Sequence, residues 1–235
     1  MLVGVPWAPE LFSAPALQQV LDKYQRERMR LVPFFDGLMA GEVDALVASF
    51  AGVPEVHHPV RGRIRGEAAF RRYVAEVGAW MAAHHVEVEP VDILLTPHRG
   101  VEEVLVRLDG DGGRVGVPLA LAADHDPDGR IAELRLYFST LALTGHHASR
   151  PPLLQPDGHL RVPGDVEAAL RAHYARLFSG GADPVVEACT VTDDGHCCAL
   201  EYNLVAPGRA PAPGLFVHGR EHVATRVYDD TPAPG

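Results

Sequence analysis

With 235 residues, 47% of them hydrophobic, the chain can bury a core in one or two domains. Its formal charge is −10, and its arginines are scattered or set beside acids, which sets aside nucleic-acid binding because that asks for a basic face. No apolar run nears the roughly 20 residues of a membrane helix, and Met1 to Pro15, broken by Pro6 and Pro9 and lacking a basic start, does not read as a secretion signal, so a cytoplasmic protein that meets no membrane is expected.

Residues 17–32 read as a helix that bends at Pro33 and continues toward Met39, with Gly41 as its stop. Glu42 to Phe50 reads as a second helix and Val53 to Val60 as a short strand. A third helix runs from Glu67 to Ala83, with Ala69, Phe70, Tyr73, Val74 and Val77 on one face. The period then changes to two. Val86–Leu95, Val101–Leu108, Val115–Ala123 and Ile131–Leu143 read as strands, parted by turn signals such as Asp126-Pro127-Asp128-Gly129. Three helices followed by a meander make an α+β layer pattern.

The Pro-, Gly- and His-rich stretch 146–164 reads as a linker, and the chain beyond it repeats the end of the first unit. Glu67-Ala-Ala-Phe-Arg71 recurs as Glu167-Ala-Ala-Leu-Arg171. Arg135, Tyr137 and Thr140 recur as Arg226, Tyr228 and Thr231, with strand-like Cys197–Val205 and Gly214–His218 between the landmarks. The expected organisation is a complete unit over 1–145 and an incomplete copy over 165–235 that lacks the first two helices. An uncovered copy would expose apolar surface, so the linker, the first unit or another chain must lie over it.

Two stretches carry a resemblance. Gly41-Glu-Val-Asp-Ala-Leu-Val-Ala-Ser-Phe50, followed by Val56-His-His-Pro-Val-Arg-Gly62 and Arg65-Gly-Glu-Ala-Ala-Phe70, is similar to the opening of ketosteroid isomerases and SnoaL-like polyketide cyclases; Gly129-Arg-Ile-Ala-Glu-Leu-Arg-Leu-Tyr-Phe138 is similar to their last strand. The chain thus resembles the nuclear transport factor 2-like superfamily. That implies an α+β cone, a curved antiparallel sheet closed by three helices, with a partial second copy. The tandem arrangement also resembles polyether epoxide hydrolases.

The resemblance places His58, ahead of Pro59, where ketosteroid isomerases keep an aspartate base. The family's two oxyanion donors fall on Phe34 and Leu121, which cannot donate, so a steroid isomerase is not expected. Tyr137, Tyr202 and Tyr228 fall on strands that line such pockets. In the second copy Glu201 is flanked by buried-type residues. Burial would raise its pKa and suit it to acid/base work with Asp229 or Asp230; the rival reading is a salt bridge to Arg226.

The expected activity is cofactor-free acid/base chemistry (cyclase, isomerase, dehydratase or epoxide hydrolase) on a hydrophobic polyketide- or terpenoid-like metabolite. The alternative is a non-catalytic ligand-binding or partner-docking protein. No phosphate loop, redox motif or metal-ligand spacing is present, and the His-His pairs at 57/58, 84/85 and 146/147 each offer one residue per strand face. No cofactor and no metal are therefore expected. Cys189, Cys197 and Cys198 read as buried reduced thiols. Back-to-back packing could occur between the two copies, and an isologous homodimer could also cover the second.

Overall fold

The structure is a computed structural model that describes residues 34–110, 112–148, 150–178, 184–220 and 224–231. The helix expected over 17–32 and the bend at Pro33 lie outside the described residues. Their continuation is α1 (Phe34–Ala40), which ends where Gly41 takes φ +68°, a left-handed turn that glycine enters without a Cβ penalty. Then come α2 (Val43–Ala48), β1 (Glu55–His58), β2 (Gly62–Arg65) and α3 (Glu67–Ala83). The helical spacing of Phe70, Tyr73, Val74 and Met81 gives α3 one buried face. Gly78 lets α1 lie close on it, since a Cβ there would come within 2.9 Å of the Leu38 carbonyl oxygen.

The meander is β3 (Glu87–Leu95), β4 (Arg99–Gly110), β5 (Gly113–His125) and β6 (Ile131–Tyr137). The six strands form one sheet in the order β2-β1-β6-β5-β4-β3, antiparallel except for the parallel β1–β6 pair. The strand expected to reach Leu143 stops at Tyr137, and α4 (Leu141–Thr144) comes after it. The cause is local hydrogen bonding. Asp230 takes the Thr140 N–H at 2.9 Å and the Ser139 hydroxyl at 2.8 Å, which draws the chain off the ladder.

After the linker comes α5 (Gly164–Leu177), then β7 (Val185–Asp193), β8 (Cys197–Val205), β9 (Ala212–Gly219) and β10 (Arg226–Tyr228). The second sheet has the order β10-β9-β8-β7, which matches β6-β5-β4-β3 of the first. Even an irregularity repeats. Val91 is an extra residue between the paired Pro90 and Asp92, and Cys189 is an extra residue between Ala188 and Thr190. The two sheets pack face to face through Leu94, Val101, Ala120, Cys197, Leu215 and Val217. Their outer faces are covered separately, the first by α1–α3 and the second by α5 with Leu160 and Val162 of the linker.

Candidate functional site

Alternation along β6 decides what faces the helices. Leu134, Leu136 and Phe138 enter the core beneath α3, while Tyr137 and Arg135 turn to the second sheet. On the helical side lies a cavity of about 230 Å³. Leu119, Leu136 and Phe138 from the sheet and Leu38, Val77 and Met81 from the helices give it apolar walls; His58, Arg61, Tyr73, Trp80 and Thr144 bring polar atoms to its lining.

His58 ends β1, and its ring meets Tyr73 and Phe138 edge-on, with centroids 5.8 and 5.5 Å away. Its Nδ1 accepts hydrogen bonds from the backbone N–H groups of Val60 at 3.1 Å and Arg61 at 3.3 Å. Burial, then the charges of Arg61 and Arg150, push its pKa down to about 3, so the imidazole stays neutral at pH 7. Burial likewise raises the Tyr73 phenol well above its ordinary value. Arg61 stands 5.9 Å above the Tyr73 ring and pairs with Glu76.

The desolvating neighbours of His58 are therefore not Phe34 and Leu121, as the resemblance implied. Those two share a crevice of about 20 Å³ with Ile93 and Leu134 and do not line the cavity. Phe35, one helical step on, lines it instead.

Glu201 lies elsewhere, fully buried between the sheets. It takes the Arg135 Nε–H at 2.6 Å, the Arg135 Nη2–H at 3.0 Å, the Tyr137 hydroxyl at 2.7 Å and the Thr190 hydroxyl at 2.7 Å. Burial alone would raise its pKa; the guanidinium and these donors outweigh it and hold the carboxyl below its ordinary value. The raised pKa expected of an acid/base glutamate is thus corrected, and so is the expected partner: Arg135 of the first sheet, not Arg226. Arg226 makes the mirror contact. It holds Glu103 of β4 at 2.6 and 2.7 Å, and the Tyr228 hydroxyl joins at 2.6 Å. Each Arg-x-Tyr reaches across to the other sheet's glutamate.

The remaining acids are bound apart from Glu201. Asp229 accepts from Tyr174, whose hydroxyl also meets that of Tyr202. Asp230 accepts from Ser139, Thr140, the Ala148 N–H and His147. The expected Glu201–Asp229 or Glu201–Asp230 couple is not assembled, because each carboxylate already serves a different set of donors. A wider trough of about 500 Å³ opens beside α5 between Leu160, Leu170, Tyr174 and Val186. The three cysteines are free and buried, and burial pushes their thiols up, to about 11 for Cys189 and about 12 for Cys197 and Cys198.

Among the described residues, Glu55, His57 and Glu133 bring ligand atoms within 4.8 Å of one another. Arginines already occupy these carboxylates: Arg63 and Arg65 lie 2.5 and 3.2 Å from Glu55, and Arg135 lies 2.9 Å from Glu133. Sequence reasoning missed Glu103 and the reach of Arg135. Extending the repeat to paired strands would have found the first, since Glu103 and Glu201 stand opposite Asp92 and Thr190 next to matching bulges.

Fold and cavity together define an α+β unit in which a six-stranded sheet is covered by helices on one face and holds an apolar cavity beneath them. Among solved structures the chain is similar to an epoxide hydrolase/cyclase-like enzyme of pyran ring formation in the polyether salinomycin, with 19% identity, a TM-score of 0.41, and coverage of 50% of this chain and 94% of that one. It is also similar to a nuclear transport factor 2-like protein from Cytophaga hutchinsonii, with 15% identity, a TM-score of 0.38, and coverage of 45% and 92%. A third similar structure is a polyketide cyclase-type protein from Sinorhizobium meliloti, with 24% identity, a TM-score of 0.35, and coverage of 44% and 88%. All three scores lie below 0.5; the architecture stands on strand order and helix placement. No protein-family model matches the sequence, and no curated protein does. No helix among the described residues is long and apolar enough to cross a membrane.

Proposed function

We propose that the chain takes a compact hydrophobic metabolite, polyketide- or terpenoid-like, into the cavity beneath α1 and α3. There it promotes cofactor-free cyclisation, isomerisation, dehydration or epoxide opening. The supporting observation is an apolar cavity that carries one neutral imidazole, His58, on its wall. A cavity of about 150 Å³ accepts benzene, so 230 Å³ suits a reacting portion of roughly ten non-hydrogen atoms. In this reading residues 1–145 form the working unit, 146–164 the linker, and 165–235 a partial copy that braces the back of the sheet. Glu201, Asp229 and Asp230 then serve the brace.

The test uses the hydrophobic extract of a strain lacking the gene. Purified protein, with no cofactor or metal added, should convert a species that accumulates there. Val77→Trp, which fills the cavity, should lower that conversion at least about tenfold, as lost positioning of a reactant does. A second reading, a non-catalytic carrier, is favoured by one observation: the Nδ1 lone pair of His58 is already engaged by two backbone N–H groups. Retained binding of the accumulated species without its conversion would establish the carrier.

A further inference from the structure

The cavity has a polar end, and its hydrogen-bonding sense is set by His58. Two backbone N–H groups, of Val60 and Arg61, point at Nδ1. A proton on Nδ1 would set an N–H donor against two others, so the ring must present a lone pair there. A neutral imidazole has one protonated and one bare nitrogen, and the proton is therefore on Nε2. Among the described residues the hydrogen bonds of the ring are those at Nδ1, and His58 lines the cavity. Tyr73 offers a second donor. Tyr73 is 3% exposed, lines the same cavity and stands with its ring 5.8 Å from that of His58, and no hydrogen bond joins its hydroxyl to another described residue. A phenol on the wall of an apolar cavity has few other acceptors to meet there, so a ligand oxygen is the natural one.

We propose, resting on the cavity reading above, that His58 Nε2–H and the Tyr73 hydroxyl are a pair of neutral donors that receive an oxygen acceptor, a carbonyl or epoxide oxygen, on an otherwise hydrophobic uncharged ligand. His58 is then a donor toward the ligand and not its base. Taking up a proton would mean giving up both backbone contacts at Nδ1 and forming a cation in an apolar enclosure beside Arg61 and Arg150, the charged groups that face it. Glu76 offsets Arg61 from outside the cavity lining. Arg61 also lines the cavity, but its charge is paired with Glu76, so the two neutral donors and the apolar walls favour an uncharged ligand.

The experiment has two arms. Two-bond ¹⁵N correlation NMR of the histidine rings, between about pH 5 and 7, should show His58 as the Nε2–H neutral form throughout; an Nδ1–H pattern, or protonation with a midpoint near 6.5, overturns the assignment. In the second arm, 2-tetralone and its hydrocarbon counterpart tetralin are titrated into the full chain. Tyr73→Phe removes the hydroxyl and keeps the ring. His58→Asn keeps an acceptor near the Nδ1 position for the two backbone N–H groups and removes the Nε2 donor. Each variant should weaken 2-tetralone about 2- to 12-fold relative to tetralin, the span of one net hydrogen bond. Equal changes for both probes overturn the donor pair while the apolar cavity stands. If neither probe binds the unaltered chain, the cavity reading itself fails, and the donor pair with it.

Discussion

Glu103 and Glu201 hold the same place in their two sheets, and each is met by an arginine and a tyrosine from the other sheet. The surroundings differ. The Arg135 side chain is 0% exposed and bonds Glu201, Asp124 and Glu133, whereas Arg226 is 21% exposed. The cause is position in the ladder. Arg135 sits on β6, between β1 and β5, while Arg226 sits on the three-residue edge strand β10. The same Arg-x-Tyr pattern thus makes a dry post in one direction and a water-reached clasp in the other. A repeated motif keeps its geometry, while its energetic weight depends on what flanks it.

The strongest way to break this comparison is Arg135→Met. It leaves Glu201 buried without its cation and should cost about 3–5 kcal/mol in urea unfolding. Arg226→Met should cost less, roughly 1–3 kcal/mol, because water reaches that site. Equal losses would mean the two clusters carry equal weight and exposure is not the governing difference.

A further test is read from pH. The Glu201 pKa lies below its ordinary 4.5 in the fold, so its contribution is complete above that value and is lost as pH falls through the folded pKa. His58 acts in a higher window. Unfolded it takes a proton near 6.5, but folded it resists until about 3, so stability declines by up to about 1.4 kcal/mol per pH unit between those values. Melting measured from pH 7 downward should show Glu201→Gln flattening only the limb below about 4.5, and His58→Asn the whole limb from about 6.5 toward 3. A Glu201→Gln effect that begins near pH 6 would contradict the lowered pKa.

Much of the fold was legible because local chemistry announces it. Glu67–Ala83 is helical over the residues its periodicity indicates, and the turn glycines separate the strands. The strands β2 and β7 escaped reading: Gly62–Arg65 has only Ile64 as an apolar residue, and the two faces of Val185–Asp193 both meet protein. His58 was legible as a cavity residue from its place before Pro59. Its hydrogen-bonding sense was not, since that depends on two backbone N–H groups folding back over the ring. The partner of Glu201 was hidden for a different reason. Spacing tells which face of a strand a residue takes, and nothing in it says which sheet will lie opposite.

The matched bulges settle how β3 serves two masters. Val88, before Val91, belongs to the core under the helices, and Leu94, an even number of residues later, belongs to the layer between the sheets. A regular strand would keep both on one side. The extra residue reverses parity, and Asp92 comes out beside Arg226 at 3.2 Å. Cys189 does the same for Thr190, which meets Glu201. Each of these two strands is in effect two half-strands of opposite phase, one addressed to the helix-covered core of its own sheet and one to the seam. A single inserted residue carries the changeover, and losing it would turn the seam half of the strand toward the helices.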